Sequence, residues 1–138
     1  MPVMYRIHQD QSTGTKRSGK FYARAVPVGV MEYDEFCKEV QRNCTVKSAD
    51  IEAVINEVVQ VMTQQMQDSK SVKLNGLGTF KIGLESKGAA SYEAFDPREK
   101  IVGAHVVFTP ERKNHQKPLL DGVSVKELPQ YAPPEPEP

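Results

Sequence analysis

Residues 71–80 read SVKLNGLGTF, and the reading of this stretch decides the fold. Val72 and Leu74 alternate with Lys73 and Asn75, the period of a strand with one buried face. Asn75, Gly76 and Gly78 then interrupt the run. Thr79, Phe80, Lys81 and Ile82 open a second alternating run. A glycine between two such runs supplies a positive φ or lets another backbone come close. Gly76 and Gly78 are therefore expected to be structural turn residues, not ligand-binding ones. The stretch predicts a strand, a tight turn and a second strand.

Upstream, two helical segments are expected. Tyr33, Phe36, Cys37, Val40 and Cys44 follow helical spacing, with Glu32, Asp34 and Glu35 crowding the first turn, where negative charge suits the helix dipole. Asn43–Thr45 ends that helix. Ser48 is the expected N-cap of a second, longer helix, with Asp50 just behind it. Ile51, Val54, Ile55, Val58, Val59, Met62 and Met66 then hold one apolar stripe for more than four turns. Such a stripe packs either into the core of its own chain or against the same stripe of a second chain. Nearer the N-terminus, Val3, Tyr5 and Ile7 alternate with Met4, Arg6 and His8, and Phe21, Ala23 and Ala25 alternate with Tyr22, Arg24 and Val26. They predict two strands joined by the polar, Gly/Ser-rich loop DQSTGTKRSGK. Lys16, Arg17 and Lys20 in that loop either grip phosphates or simply keep it solvated.

Downstream, Gly83 and Leu84 continue the strand into SKGAASYEAFDPREK, residues 86–100. A β-rich run resumes from Ile101 to Phe108, and Pro110 closes it. The pattern predicts a hairpin with its tip near Asp96–Pro97. Glu111–Leu120 holds a short helix or turn interrupted by Pro118. The final YAPPEPEP has little to bury and is expected to be disordered.

The chain has 138 residues, 38% of them hydrophobic, and no Trp. That predicts a lean core, which a partner chain can complete. No apolar run approaches the ~20 residues that span a bilayer, and MPVMYRIHQD lacks a signal-peptide apolar region. A cytoplasmic protein without a membrane partner is the expectation. Cys37 and Cys44, read on one helix, lie roughly 10 Å apart along its axis at ~1.5 Å per residue, too far for a disulfide. Both are expected to be buried small apolar residues, and no metal site is expected. The formal net charge is zero, but it is segregated. Residues 1–26 carry five basic and one acidic residue (+4), and residues 27–69 three and eight (−5). Residues 70–117 carry nine and five (+4), and residues 118–138 one and four (−3).

Two helices followed by a strand, a G-x-G turn and a strand resemble the bacterial histone-like HU/IHF proteins. The resemblance runs from about Asp34 to Leu120 and is strongest over Asp34–Phe80. It implies an α+β, HU/IHF-like fold: two helices packed on a β-sheet with a protruding β-hairpin arm. To this the present chain adds an N-terminal strand pair, as in an extended, divergent HU-like group. The expected division is residues 1–28 as a β extension, 29–125 as the HU-like domain and 126–138 as a disordered Pro/Glu-rich tail. The resemblance further implies an intertwined homodimer whose β-arms enter the DNA minor groove, with a Pro at each arm tip wedged between base pairs.

The implied function is an architectural, largely sequence-nonspecific protein that binds and bends duplex DNA as a dimer on the nucleoid. Lys81, Lys87, Arg98, Lys100, Arg112, Lys113 and Lys117 are the candidate phosphate contacts. Pro97, with Phe95 as its understudy, is the candidate wedge. The arm departs from the family's dense basicity: Lys87, Arg98 and Lys100 stand against Glu85, Glu93, Asp96 and Glu99. This near-neutral balance supports the alternative, an HU-fold structural or protein-interaction module with weak or no DNA binding. His8, His105 and His115 show no nucleophile or metal spacing, and no P-loop, H-E-x-x-H or G-x-S-x-G occurs. Neither an enzyme, a cofactor nor a small-molecule substrate is expected.

Overall fold

The computed structural model describes residues 2–114 and 117–129. The chain divides into two compact units. One runs from Tyr33 to Asp121, and the other joins the residues up to Glu32 to those from Gly122 onward. Residues 130–138, which hold the YAPPEPEP tail, lie outside the described residues, as does His115.

The central unit opens with helix α1, Tyr33–Arg42, and helix α2, Ser48–Gln67. Asp34 and Glu35 occupy the first turn of α1 and Arg42 its last, so both ends complement the helix dipole. Arg42 also reaches back to Glu39, 2.7 Å away at i,i+3. Cys37 on the inner face is fully buried. Cys44 is not: α1 stops at Arg42, so Cys44 falls in the following turn and is exposed. The expectation that both cysteines are buried fails there. The cap of α2 also differs from expectation. Ser48 is the first helical residue, and Lys47 is the cap, in extended conformation without a side-chain cap bond. The orphan N–H of Ser48 donates instead to Oε1 of Gln41, 2.8 Å away on α1. A side chain seven residues upstream thus satisfies the helix start.

Strands β3 (Val72–Leu74), β4 (Gly78–Ser86) and β5 (Ile101–Pro110) form an antiparallel sheet in the order β3-β4-β5. Val72 pairs with Phe80 and Leu74 with Gly78. Phe80 pairs with Phe108 and Ile82 with Val106. The pleat therefore puts Val72, Leu74, Phe80, Ile82, Val106 and Phe108 on one apolar face. The rings of Phe80 and Phe108 stack there with centroids 4.7 Å apart. Lys73, Thr79, Lys81 and Thr109 take the other face.

Both glycines of the G-x-G turn take positive φ. Gly76 has φ +85° and Gly78 φ +150°. The Gly76 N–H donates to Oε2 of Glu111 at 2.7 Å, and Glu111 N–H donates to Leu77 O at 3.1 Å. This ties the turn to the end of β5.

The apolar core of this unit is small. Among the described residues only Cys37 and Ile51 are buried hydrophobic residues. Three residues of the α2 stripe lie open: Val54 is 60% exposed, Val59 56% and Val58 39%. Two apolar grooves follow. One of about 380 Å³ is lined by Val54, Val58, Val61, Met62, Val72 and Leu74. The other, about 370 Å³, is lined by Phe36, Val40, Cys44, Val46, Ile51 and Ile55 among others. The exposed Cys44 thus belongs to an uncovered apolar surface.

The second unit is a three-stranded sheet in the order β2-β1-β6, not a strand pair. Strand β1 (Val3–Gln9) pairs antiparallel with β2 (Phe21–Ala25) and parallel with β6 (Val125–Glu127). Val3 N–H donates to Ser124 O at 2.8 Å, and Leu128 N–H to Tyr5 O at 2.9 Å. Lys126 and Glu127, expected in the tail, are the last two residues of β6. Residues 29–125 are expected as one domain, whereas the residues from Gly122 onward group with β1 and β2. The loop between β1 and β2 is closed by Asp10. Its backbone N–H donates to Lys20 O, and its carboxylate accepts the Ser12 N–H at 2.8 Å. These Ser12 hydrogen bonds, more than nearby Arg17, hold the Asp10 carboxyl below its ordinary range.

Candidate nucleic-acid interface

Strand β3 pairs only with Gly78–Phe80 of β4, whereas the β4–β5 ladder continues from Gly78↔Pro110 to Ser86↔Ile101. Beyond Phe80 the sheet is therefore a two-stranded ribbon. Lys81–Ser86 extends it by roughly 20 Å at ~3.3 Å per residue. A register shift falls at Glu85/Ser86, where pairing ends. A two-stranded ribbon is marginal alone, and this one leaves Leu84 62% and Val106 60% exposed.

The ribbon ends in a 14-residue connection, residues 87–100. Lys87 N–H donates to Lys100 O at 2.7 Å and closes its base. Pro97 lies within this connection. It is the first residue of a one-turn helix, α3 (Pro97–Lys100), directly ahead of β5. Asp96 caps that turn, its Oδ1 accepting Arg98 N–H at 3.0 Å. Proline suits such a first helical position because its missing N–H is not needed there. Asp96 and Pro97, the expected tip residues, thus form the start of a capped helical turn. Phe95 is 36% exposed, whereas Tyr92, which the sequence did not single out, is 93% exposed.

The other candidate residues divide between arm and body. Lys87 and Arg98 are exposed on the arm, and Lys100 is half-buried at its base. Lys81 lies on the outer face of β4, opposite Val107. Arg112 and Lys113 are exposed just past β5. Lys117 is half-buried and precedes the 3₁₀ turn Pro118–Leu120. Lys73 is a further member that the sequence reading does not supply. It pairs with Thr79, and pleat and register put it on the same outer face as Lys81. A groove of about 290 Å³ is lined there by Lys73, Thr79, Thr109, Glu111 and Arg112. The available signal is its odd position between Val72 and Leu74. On the same face His105 Nδ1 lies 3.6 Å from Oε1 of Glu85, a contact that is ionic only when the imidazole carries a proton.

Among the described residues no group of three or more His, Cys, Asp or Glu could hold a metal ion. No helix among them is long and apolar enough to cross a membrane. The arrangement offers exposed cations on a ribbon and its base, which suits contact with a polyanion along its backbone.

The comparisons with known proteins agree with this architecture. A crystal structure of a protein from Bacteroides vulgatus ATCC 8482, named a candidate bacterial DNA-binding protein, superposes with a TM-score of 0.60 at 14% identity. The superposition covers 91% of this chain and 47% of that one, so the present chain spans about half the length of its structural relative. At that identity the likeness is one of fold. No curated protein matches the chain. The family model for HU domains fused to a wHTH, Ig or glycine-rich motif matches residues 1–119, and the chain therefore belongs to this HU-HIG family.

Proposed function

We infer that the protein is an architectural DNA-binding protein that grips duplex DNA with little base reading and bends it through the minor groove. It does so as a homodimer on the cytoplasmic nucleoid. The observation that carries this is the β4–β5 ribbon, which runs on beyond β3 with exposed cations on itself and at its base. Membership of an HU family and the fold shared with a candidate DNA-binding protein support it. Lys73, Lys81, Arg112 and Lys113 act from the body, and Lys87, Arg98 and Lys100 from the arm. Lys117 adds charge beside them. The wedge falls to Pro97, Phe95 or Tyr92, all in one connection. The uncovered part of the α2 stripe supports a dimer, since a partner would take its half-exposed Val side chains out of water, each for a fraction of the about 1.5–3 kcal/mol of a full burial.

The test is a gel-shift series on plain, nicked and prebent duplexes at two salt concentrations. Arg98→Ala with Lys100→Ala should weaken binding to all sequences alike. It should also make the salt slope shallower by about 0.9 for each phosphate that is no longer neutralised. Pro97→Ala should spare most affinity for prebent DNA and reduce bending of straight DNA, because a wedge offsets unstacking. Unchanged binding in both variants would remove the arm from the DNA contact. The four arm carboxylates would then favour the second reading, an HU-fold protein-interaction module.

A further inference from the structure

The sheet β2-β1-β6 has two unlike faces. Tyr5 pairs with Ala25, Ile7 with Ala23 and Val3 with Val125, so one face is apolar. On the other face Arg6 is the direct partner of Arg24, and Lys126 is the direct partner of Met4, one step along. Opposed residues carry their Cβ atoms about 4.5–5.5 Å apart, and diagonal ones about 7–8 Å apart. Three cations from three different strands therefore share one small patch. All three residues are exposed.

This arrangement opposes the sheet's own stability. Like charges directly opposite each other across antiparallel strands repel. Among the described residues no carboxylate lies within ion-pair distance of Arg6, Arg24 or Lys126. Glu127 shares the opposite face with Tyr5. Asp10 is occupied by Ser12 and by Arg17 at 3.7 Å. Among the described residues of this unit, six basic residues (Arg6, Lys16, Arg17, Lys20, Arg24, Lys126) stand against three acidic ones (Asp10, Glu32, Glu127). An anion is what the face lacks.

We propose that this cationic face is a second DNA contact, one that takes the phosphate backbone of the duplex independently of the β4–β5 arm. The proposal rests on the DNA-binding reading above and adds a surface to it. The chemistry favours phosphate over bases. Tyr22 and His8 are the two rings on this face, 6.5 Å apart, and the Arg17 guanidinium already covers the Tyr22 ring, 4.6 Å from its centroid. The face thus offers charge and forked donors rather than a stacking platform. Its ligand is read by charge, and its contribution must fade with salt.

The experiment uses the full-length chain and a 30-bp duplex of mixed sequence, with anisotropy titrations at several salt concentrations. Arg6→Ala, Arg24→Ala and Lys126→Ala together should flatten the salt slope by up to about 2.7 per chain, at about 0.9 per phosphate. The melting temperature should stay level or rise, because the repelling pair is gone. Arg6→Lys, Arg24→Lys and Lys126→Arg together should restore the slope, since a phosphate accepts either cation. If the wild type binds the duplex and the Ala variant keeps its slope, the second contact is refuted and the arm reading stands. If the wild type binds no duplex at either extreme of salt, both readings fall. If the Ala variant loses affinity for a single-stranded RNA but not for the duplex, the face serves a different nucleic acid and the proposal is overturned.

Discussion

Val58→Asp should leave no folded dimer at micromolar concentration, and its thermal transition should fall far below that of the wild type. In the single chain Val58 is 39% exposed, on the rim of the groove between α2 and β3. Were this surface left to water, the substitution would be an ordinary surface change worth about ±0.5 kcal/mol. Were it covered by the same surface of a second chain, the change would bury a carboxylate without a partner, at a cost of several kcal/mol. By isologous symmetry that cost is incurred twice per dimer. The two cases differ by far more than experimental error. Sedimentation of the wild type reads the dimer directly, and the melting curve of the variant reads the cost. A monomeric wild type, or a variant that melts within a degree or two of it, would mean that the α2 stripe is not an interface. Val58→Leu serves as the control, since it keeps the face apolar.

Much of the central unit is legible in the sequence because its signals are local. The α2 stripe has one period over twenty residues, and only a helix satisfies it. The alternation on either side of Gly76 and Gly78 fixes two strands and their faces, and the pairing of Val72 with Phe80 follows from the short turn. What is not legible depends on distant partners. β6 is three residues long and pairs with a strand more than a hundred residues earlier, so no local pattern announces it. Gln41 as the group that satisfies the start of α2 is equally invisible until α1 and α2 are folded together. The candidate site follows the same rule. The cations of the arm can be named from the sequence, but their faces cannot. Lys73 joins Lys81 only through the register of β3 on β4. Arg6, Arg24 and Lys126 become one patch only when three strands are aligned. Pro97 is legible as a turn residue, but only the Asp96 carboxylate on the Arg98 N–H makes the turn a capped helical one.

Gly78→Val should be among the most damaging single changes in the chain, with or without DNA. Gly78 has φ +150°, a conformation that residues with a Cβ rarely adopt, so any replacement is strained by about 1–3 kcal/mol. The space is also taken. A Cβ built there would run into the Thr109 carbonyl oxygen and would lie 2.8 Å from the Phe108 ring and 3.0 Å from Pro110 Cα. Backbone atoms of a paired strand cannot move aside without breaking the β4–β5 ladder at its first pair, Gly78↔Pro110. Overpacking of this kind adds about 1–3 kcal/mol. At about 4–8 °C per kcal/mol for a domain of this size, the melting temperature should drop by roughly 10 °C or more. Because the clash begins at Cβ, Gly78→Ala should already show most of the loss. Gly76→Ala should be much milder. Gly76 shares the need for positive φ, at +85°, but a Cβ there meets nothing within 4 Å. Only the conformational cost of about 1–2 kcal/mol remains. The expected order of melting temperatures is therefore wild type, then Gly76→Ala, then Gly78→Ala, then Gly78→Val, and DNA should not change it. A Gly78→Val protein that melts like the wild type but no longer binds the duplex would make the G-x-G turn a binding loop instead of a structural hinge of the sheet.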